Sequence, residues 1–401
     1  MSRLIPIFTV LLFPLASLSA TVHVPGDQPT IQAGIDAAAE GDTVLVAAGT
    51  YTGAGNHDID FAGVEITLLS ASGPAATILD VQGSDLENRR GLYFHTGEGP
   101  QARVEGFTIQ NGVTPRFGDM EWGAGILVEL CAPTIVDCIF QDNRAWLGGG
   151  IHLESADPTI RGCTFRDNQA AYGGGVDMGG SAPLIEDCDF ISNDATATGG
   201  ALACRVGDDA IVRNCRFVGN SSPHGAALVT WASRPQFEMC LFTGSTGGSG
   251  VIKARQASAL VFRSCTFAGN DTGQGVFVPR FETGFAPTIR LEHTIIAFNA
   301  SGPAVDLLND GADVTLECSD IFGNPGGDWS GLIAPQAGVD GNFSADPLFC
   351  DPDNGNLTLR SDSPCAPPGV TNCGLVGALW IGCGPVSVVE ESWAAIKGKY
   401  R

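Results

Sequence analysis

Apolar and polar residues alternate in a short pattern that recurs about every 25 residues through the middle of the chain. In the copy "PTIRGCTFRDN" an Ile lies three residues before Cys163 and a Phe two residues after it, separated by polar or small residues. This period of two is typical of a strand with one buried face. The Cys residues that mark the successive copies are Cys138, Cys163, Cys188, Cys215, Cys240 and Cys265.

A glycine lies ten positions after most of these Cys residues, for example Gly148 and Gly173, and Thr198 occupies that position in the one exceptional copy. Gly allows backbone angles that a β-carbon would block, so we expect the chain to turn there. A second short alternation follows, as in Ile151-His152-Leu153. Because no window in the repeats has a helical period, the sequence predicts stacked coils of strands and turns, a parallel β-solenoid.

Two further columns of repeated residues, one of Asn and one of Cys, accompany the strands. Stacked coils would align the repeated Asn side chains as an amide ladder, and we favour this structural role over a nucleophilic or amide-binding one. We interpret the Cys column as core packing, because free Cys packs as a small hydrophobe and zinc needs convergent ligands; a metal or redox role is the alternative. Five of the six Cys residues are followed five positions later by an Asn, namely Asn143, Asn168, Asn193, Asn220 and Asn270.

The segment "PTIQAGIDAAAEGDTVLVAAGTY" changes from a helical pattern, with Ile31 and Ile35 on one face, to a strand over residues 43–46. It resembles the N-terminal entry of the pectin-lyase-like right-handed β-helix superfamily, and the "C-x-F-x-x-N" coils resemble the generic repeats of that fold. The resemblance implies an all-β, right-handed parallel β-helix of about 25 residues per coil with a short N-terminal capping helix. It says little about activity, since the superfamily includes lyases, hydrolases and adhesins.

After about residue 325 the composition shifts to Gly, Pro, Asp and Cys. The stretch "FSADPLFCDPDNGNLTLRSDSPC" resembles a terminal segment of secreted bacterial β-helix proteins, which implies a Cys-rich C-terminal cap. Four Cys residues in this region allow three disulfide pairings, and short loop length alone favours Cys350–Cys365 together with Cys373–Cys383.

The predicted organisation is a signal peptide over 1–20, the β-helix over 21–330, the cap over 331–385 and a tail over 386–401. The first segment has a positive Arg3, an apolar stretch too short to span a bilayer, and small residues at its end, so we expect secretion or display on a bacterial cell envelope. The tail is either a frayed extension or a sorting signal.

The chain has 401 residues and a net charge of −23. This charge argues against binding to nucleic acid or to anionic membrane surfaces. No segment after the signal is apolar enough to span a membrane, and we expect a monomer. We predict no cofactor, although a divalent ion such as Ca²⁺ remains possible.

Aligning three coils on their glycine turns places several chemically capable side chains outward on one face. The candidate catalytic or polar contact residues are His152, Glu154, Asp177 and Glu129. The candidate sugar-binding residues are Trp122, Trp146 and Tyr172, with Arg116 as a rim residue. Aromatic faces beside carboxylates suit a polysaccharide. We interpret the central pair Asp208-Asp209 as a surface turn.

Three functions fit these residues. The first is a structural or adhesive rod, the second a module that binds a polysaccharide or cell-surface glycan, and the third a lyase or hydrolase acting on an acidic polysaccharide. In the third, His152 or Glu154 would be the base. The three aligned coils have no Lys or Arg at their outward positions to neutralise a substrate carboxylate, which argues against an enzyme.

Overall fold

The computed structural model describes residues 19–114, 122–280, 284–306, 311–369 and 372–384. Within these ranges the chain coils into stacked parallel strands, which confirms the predicted β-solenoid. The candidate rim residue Arg116, the tail 386–401 and residues 1–18 of the expected signal peptide lie outside the described residues.

Two long parallel sheets extend along the solenoid, and each coil after the first contributes one strand to each sheet. Sheet I contains Thr21–Val24, Thr43–Val46, Thr67–Ser70, Arg103–Glu105, Thr134–Val136, Thr159–Arg161, Leu184–Glu186, Ile211–Arg213, Gln236–Glu238, Ala259–Arg263, Thr288–Glu292 and Asp313–Glu317. Sheet II contains Gly49–Tyr51, Thr77–Asp80, Thr108–Gln110, Ile139–Gln141, Thr164–Arg166, Asp189–Ile191, Arg216–Val218, Leu241–Thr243, Thr266–Ala268, Ile295–Ala297 and Asp320–Phe322.

Two further parallel sheets complete the coils. Sheet III contains Ile59–Asp60, Leu92–Phe94, Ile126–Glu129, Ile151–Glu154, Val176–Gly179, Leu202–Cys204, Leu228–Trp231, Ile252–Arg255 and Phe277–Arg280. The shorter sheet IV contains Val113–Thr114, Arg144–Ala145, Gln169–Tyr172, Asp194–Thr198, Ser221–His224 and Thr246–Ser249. In each coil the strand of sheet IV is followed by the glycine turn and then by the strand of sheet III.

The core consists of columns of identical side chains. Phe165 stacks on Phe140 and on Phe190, with ring centroids 4.9 and 4.7 Å apart, and all three are fully buried. The Cys column is also buried and not disulfide-bonded, as expected for a packing role. A spacing close to that of neighbouring strands lets identical residues pack face to face without gaps.

The Asn column forms the predicted amide ladder. The side-chain amide of Asn168 donates to Asn193 Oδ1 at 3.0 Å, and Asn143 donates to Asn168 in the same way at 3.1 Å. These side chains are buried, so the ladder satisfies polar groups that would otherwise be costly inside the protein.

The N-terminal end of the solenoid is closed by the α-helix Ile31–Ala37, as predicted. Thr30 caps it by accepting a hydrogen bond from the backbone of Ala33. Ile31 and Ile35 are buried against the first coils. At the other end, the 3-10 helix Gly331–Gln336 inserts a fully buried Ile333 into the same core.

The C-terminal region lies along the side of the solenoid. Sheet V consists of Phe349–Asp351, Asn356–Arg360 and Ile381–Cys383, with the 3-10 helix Pro352–Asn354 between its first two strands. Leu357 of this sheet and Val376, which precedes its last strand, form a second core with outward-facing residues of sheet II, among them Leu241 and Ile295. The predicted cap therefore covers several coils laterally.

The predicted disulfide pairing Cys350–Cys365 with Cys373–Cys383 is wrong. The bonds are Cys318–Cys373 and Cys350–Cys383, and Cys365 is a buried thiol. The expectation relied on short loops, whereas the fold-back of this region brings together residues that are distant in sequence. Cys318 lies at a corner of the last coil, outside the segment considered for pairing.

Within the described ranges, no helix is both long and apolar enough to cross a lipid bilayer.

Candidate functional site

The candidate site lies on the outer side of sheet III. In the strand Ile151–Glu154, Ile151 and Leu153 are fully buried in the solenoid core, so His152 and Glu154 project from the opposite side. His152 is the register partner of Asp177 on the next coil. Period-two alternation therefore predicts correctly which side these residues occupy.

The expectation that all of these side chains form an accessible face is wrong for two of them. The side chains of His152 and Asp177 have no solvent exposure. Trp122 packs on His152 with ring centroids 5.1 Å apart, and the turn at Gly148 lies directly against the strand, close to the His152 backbone. An outer layer therefore covers the middle of each strand, and a polymer on the surface cannot contact these two groups.

Arg205 completes the cluster from the following coil. Its Nη2 lies 3.0 Å from Asp177 Oδ2 and 3.4 Å from Glu154 Oε2. His152 Nδ1 lies 2.8 Å from the same Asp177 oxygen, and His152 Nε2 lies 3.5 Å from Glu154 Oε2. A buried His–Asp pair thus underlies a Glu–Arg pair that is partly exposed, with 42% and 31% of the two side chains accessible.

Sequence reasoning missed Arg205 because the alignment included only three coils. One coil further, Ala201 takes the place of the turn glycine, and the position four residues after it is Arg205. That position corresponds to Glu154 and Gly179 in the preceding coils. Continuing the register by one coil is the signal that would have identified the missing cation.

The charges in this cluster compensate one another. Burial alone would lower the pKa of His152, but the carboxylates of Asp177 and Glu154 outweigh it and raise that pKa. The neighbouring His152, assisted by Arg205, lowers the pKa of Glu154. With His152 protonated, two cations face two carboxylates, which is the pairing that buried charges require.

A row of three aromatic side chains lies beside this cluster. Trp146 meets Tyr172 edge-on with ring centroids 5.9 Å apart, and Tyr172 meets Trp231 at 6.1 Å. Arg255 lies over the Trp231 ring, with its guanidinium carbon 5.3 Å from the ring centroid. All three aromatic residues are half-buried. We call Trp146, Tyr172 and Trp231 the aromatic row.

The row differs from the expected set in one member. Trp122 packs on His152, while Trp231, which sequence reasoning missed, takes the third place. The rings of Trp146 and Tyr172 are inclined at 69°, so the row forms a stepped surface with separate ring faces.

Glu129 has a different partner from the other candidates. It is the register partner of Glu154, but its Oε2 accepts a hydrogen bond from the Tyr93 hydroxyl. Arg90 lies over the Tyr93 ring at 4.9 Å. Burial, with the Glu129 carboxylate, raises the pKa of Tyr93 to about 12, so this phenol stays protonated and donates its hydrogen bond at neutral pH.

The carboxylates of the site do not fit a Ca²⁺ site. Asp177 and Glu154 both contact Arg205, and Glu129 is bound to Tyr93, so a divalent cation would face a guanidinium and an imidazolium. In the described part of the chain, no group of three or more His, Cys, Asp and Glu side chains is arranged to hold a metal ion.

Comparison with solved structures finds similar folds at low identity. The chain is similar to the catalytic domain of a GH87 α-1,3-glucanase in complex with tetrasaccharides, at 11% identity over 76% of this chain and 64% of that one, with a TM-score of 0.45. It is also similar to a mannuronic acid specific polysaccharide family 6 lyase from human gut microbiota, at 12% identity over 94% and 90% of the two chains, with a TM-score of 0.40.

A third similar structure is the Siphovirus 9NA tailspike receptor binding domain, at 10% identity over 94% of this chain and 78% of that one, with a TM-score of 0.28. No curated protein sequence matches the chain. The family model described as "Right handed beta helix region" matches residues 90–251. The match covers this part of the chain, where the parallel strand ladders show a β-solenoid, and the family description implies that its coils are right-handed.

Proposed function

We propose that this protein is a secreted or cell-surface β-helix that binds a glycan, and that it uses the aromatic row together with Glu154 and Arg205. The observation that carries the proposal is the position of the row, with Trp146, Tyr172 and Trp231 half-buried beside a partly exposed Glu–Arg pair. The rigid solenoid would present this surface as an adhesive rod.

The chemistry of these groups matches that of a sugar. Aromatic rings offer apolar faces to the C–H side of a pyranose, while a carboxylate and a guanidinium exchange hydrogen bonds with its hydroxyls. The buried pair His152 and Asp177 would act as positioning residues, because their contacts fix Glu154 and Arg205 from below. Preformed groups lose little side-chain entropy on binding.

The proposed location is supported by the two disulfides, which are typical of proteins from oxidising compartments. The net charge of −23 favours an uncharged or cationic partner over nucleic acid.

Affinity electrophoresis and calorimetry against a panel of purified polysaccharides would test the proposal. The double variant Trp146→Ala/Tyr172→Ala and the single variant Trp231→Ala should each weaken binding at least tenfold with little change in melting temperature. Trp380→Ala is the matched control, because this Trp is 68% exposed and lies outside the row. If all variants bind as the wild type does, the aromatic row has no role in binding. If the wild type binds no glycan, the glycan-binding proposal fails and a purely structural rod is the remaining function.

A second candidate function is a polysaccharide lyase or hydrolase. Arg205 beside Glu154 favours it, since this guanidinium supplies the cation that the sequence analysis did not find. His152 is fully buried, so Glu154 would be the base in contact with substrate. Release of reducing ends or of unsaturated products by the wild type, and its loss in Glu154→Gln, would establish this activity; an inactive wild type would exclude it for the glycans tested.

A further inference from the structure

A groove crosses the outer surface of sheet IV, on the side of Trp146 away from the charged cluster. It consists of two adjoining hollows of about 200 Å³ each, which share Arg144 and Gln169. The first hollow is lined by Gly83, Asn111, Val113, Asp142, Asn143, Arg144, Asp167 and Gln169. The second continues towards Trp146.

Small side chains form the floor where the groove approaches Trp146. Ala145, Ala170 and Ala171 line this hollow and are at most 8% exposed, and Thr196 borders it on the next coil. At the rise of an extended strand, the chain from Asp142 to Trp146 spans about 13 Å. The two hollows together are therefore elongated, and the indole ring of Trp146 lines the second of them.

The groove offers both hydrogen-bond acceptors and donors. Asp142, Asp167 and Gln169 are exposed, and within the described residues their side chains make no hydrogen bond or ion pair with the protein. Arg144 forms an ion pair with Asp85, so its charge is compensated locally. The remaining net charge of the groove is negative, from two carboxylates.

We propose that this groove is a subsite for an uncharged oligosaccharide, which lies along the strands of sheet IV with one sugar ring against Trp146. The inference rests on the proposed glycan-binding function, because Trp146 belongs to both the aromatic row and the groove. To that function the inference adds the direction of the bound sugar chain, the residues that contact the sugar and the chemical class of the glycan.

The charge of the groove determines that class. Sugar hydroxyls donate to Asp142 and Asp167 and accept from the Gln169 amide, so an uncharged glycan satisfies all three side chains. A uronate or sulfate group in the same place would face two carboxylates without a free cation, which costs electrostatic energy. The groove therefore selects against acidic polysaccharides.

The test compares uncharged polysaccharides, such as glucans and mannans, with alginate and polygalacturonate, using calorimetry at low and moderate salt. We expect binding of an uncharged glycan, with affinity nearly independent of salt. The double variant Asp142→Asn/Asp167→Asn should weaken it about tenfold or more, and Gln169→Ala should weaken it several-fold. Asp313→Asn, an exposed carboxylate on sheet I, is the matched control and should bind as the wild type does.

The outcomes separate the two proposals. If binding depends on Tyr172 and Trp231 but is unchanged by the Asp142, Asp167 and Gln169 substitutions, the groove is refuted and the proposed function stands. Salt-sensitive binding of an acidic polysaccharide alone would likewise overturn the groove. If no glycan binds, both proposals fail. Unchanged melting temperatures of the groove variants, whose side chains are exposed, exclude misfolding as the cause of any loss.

Discussion

Glu154 and Arg205 meet across an intervening coil, and their contact passes over a residue without a side chain. The Arg205 Nη2 lies 3.4 Å from Glu154 Oε2, and Gly179 is the register partner of Glu154 on the coil between them. A β-carbon on Gly179 would lie 3.0 Å from the Glu154 oxygen and 3.1 Å from the Arg205 nitrogen. This glycine therefore permits the ion pair of the proposed site.

We predict that Gly179→Ala separates this ion pair while the fold is retained. The added methyl group meets the flexible ends of two side chains, which can move apart, so the stability loss should stay below about 1 kcal/mol. Glycan binding should fall, because Glu154 and Arg205 lose their fixed positions. Thermal melts and calorimetry check both parts. Wild-type affinity in the variant would show that the ion pair has no role in binding.

The fold could be predicted from the sequence because each coil repeats the same local choices. Phe190 lies between identical neighbours, and the Asn193 amide donates both to Asn220 and to the backbone carbonyl of Phe165, a pattern that recurs from coil to coil, so one period specifies most of the stack. The disulfides could not be predicted, because the Cys318–Cys373 bond depends on a non-repeating segment folding back along the solenoid.

The site could be predicted only in part, for a related reason. Alternation assigns His152 and Asp177 to the outer side of sheet III, but it does not show that Trp122 and the turn at Gly148 cover this side. Contacts between coils that are not adjacent, such as Tyr172 with Trp231, have no local signature in the sequence. The Glu154–Arg205 contact likewise depends on Gly179 in the intervening coil, which resembles an ordinary spacer in the sequence.

We predict that Phe190→Ala costs about 3–5 kcal/mol, since it leaves a cavity in a stacked column. Phe190 is fully buried, with centroids 4.7 and 4.8 Å from its two neighbours. Urea denaturation measures the effect, and Phe285→Ala serves as control because Phe285 is 81% exposed. A loss below 1 kcal/mol at Phe190 would contradict the interior position of this column.

We predict that the native protein reacts slowly with thiol reagents at all nine of its free cysteines. Each is buried, so reagents cannot reach the sulfur, and burial also raises the pKa of Cys240 and Cys204. At Cys188, burial is outweighed by hydrogen bonds with Cys163 and Cys215, which lower the pKa, so its slow reaction rests on exclusion of the reagent. After denaturation without reductant, nine thiols should react. Peptide mapping should recover the Cys318–Cys373 and Cys350–Cys383 links. Rapid native labelling of Cys163 or Cys188 would contradict the packing role of the column.

The last prediction concerns Asp208, which the sequence placed in a surface turn. Its side chain is instead fully buried, and it accepts a hydrogen bond from the backbone N–H of Ser181 at 2.7 Å. Burial, reinforced by the negative charge of Asp177 and opposed by the backbone donors and Arg205, raises the pKa of Asp208 to about 7. The folded protein therefore holds a proton that the unfolded chain releases near its ordinary value of 3.8.

It follows that the contribution of Asp208 to stability decreases as the pH rises from about 4 to about 7, by up to about 1.4 kcal/mol per pH unit. Asp208→Asn keeps an oxygen acceptor for Ser181 but cannot ionise. Relative to the wild type, the variant should therefore become more stable by a few kcal/mol as the pH rises from 5 to 8. Urea denaturation of both proteins across this range measures the change. Asp209→Asn is the control, because Asp209 adjoins Asp208 in the chain but is half-exposed and paired with Arg234. Parallel pH dependence of wild type and Asp208→Asn would contradict the assigned burial of this carboxyl group.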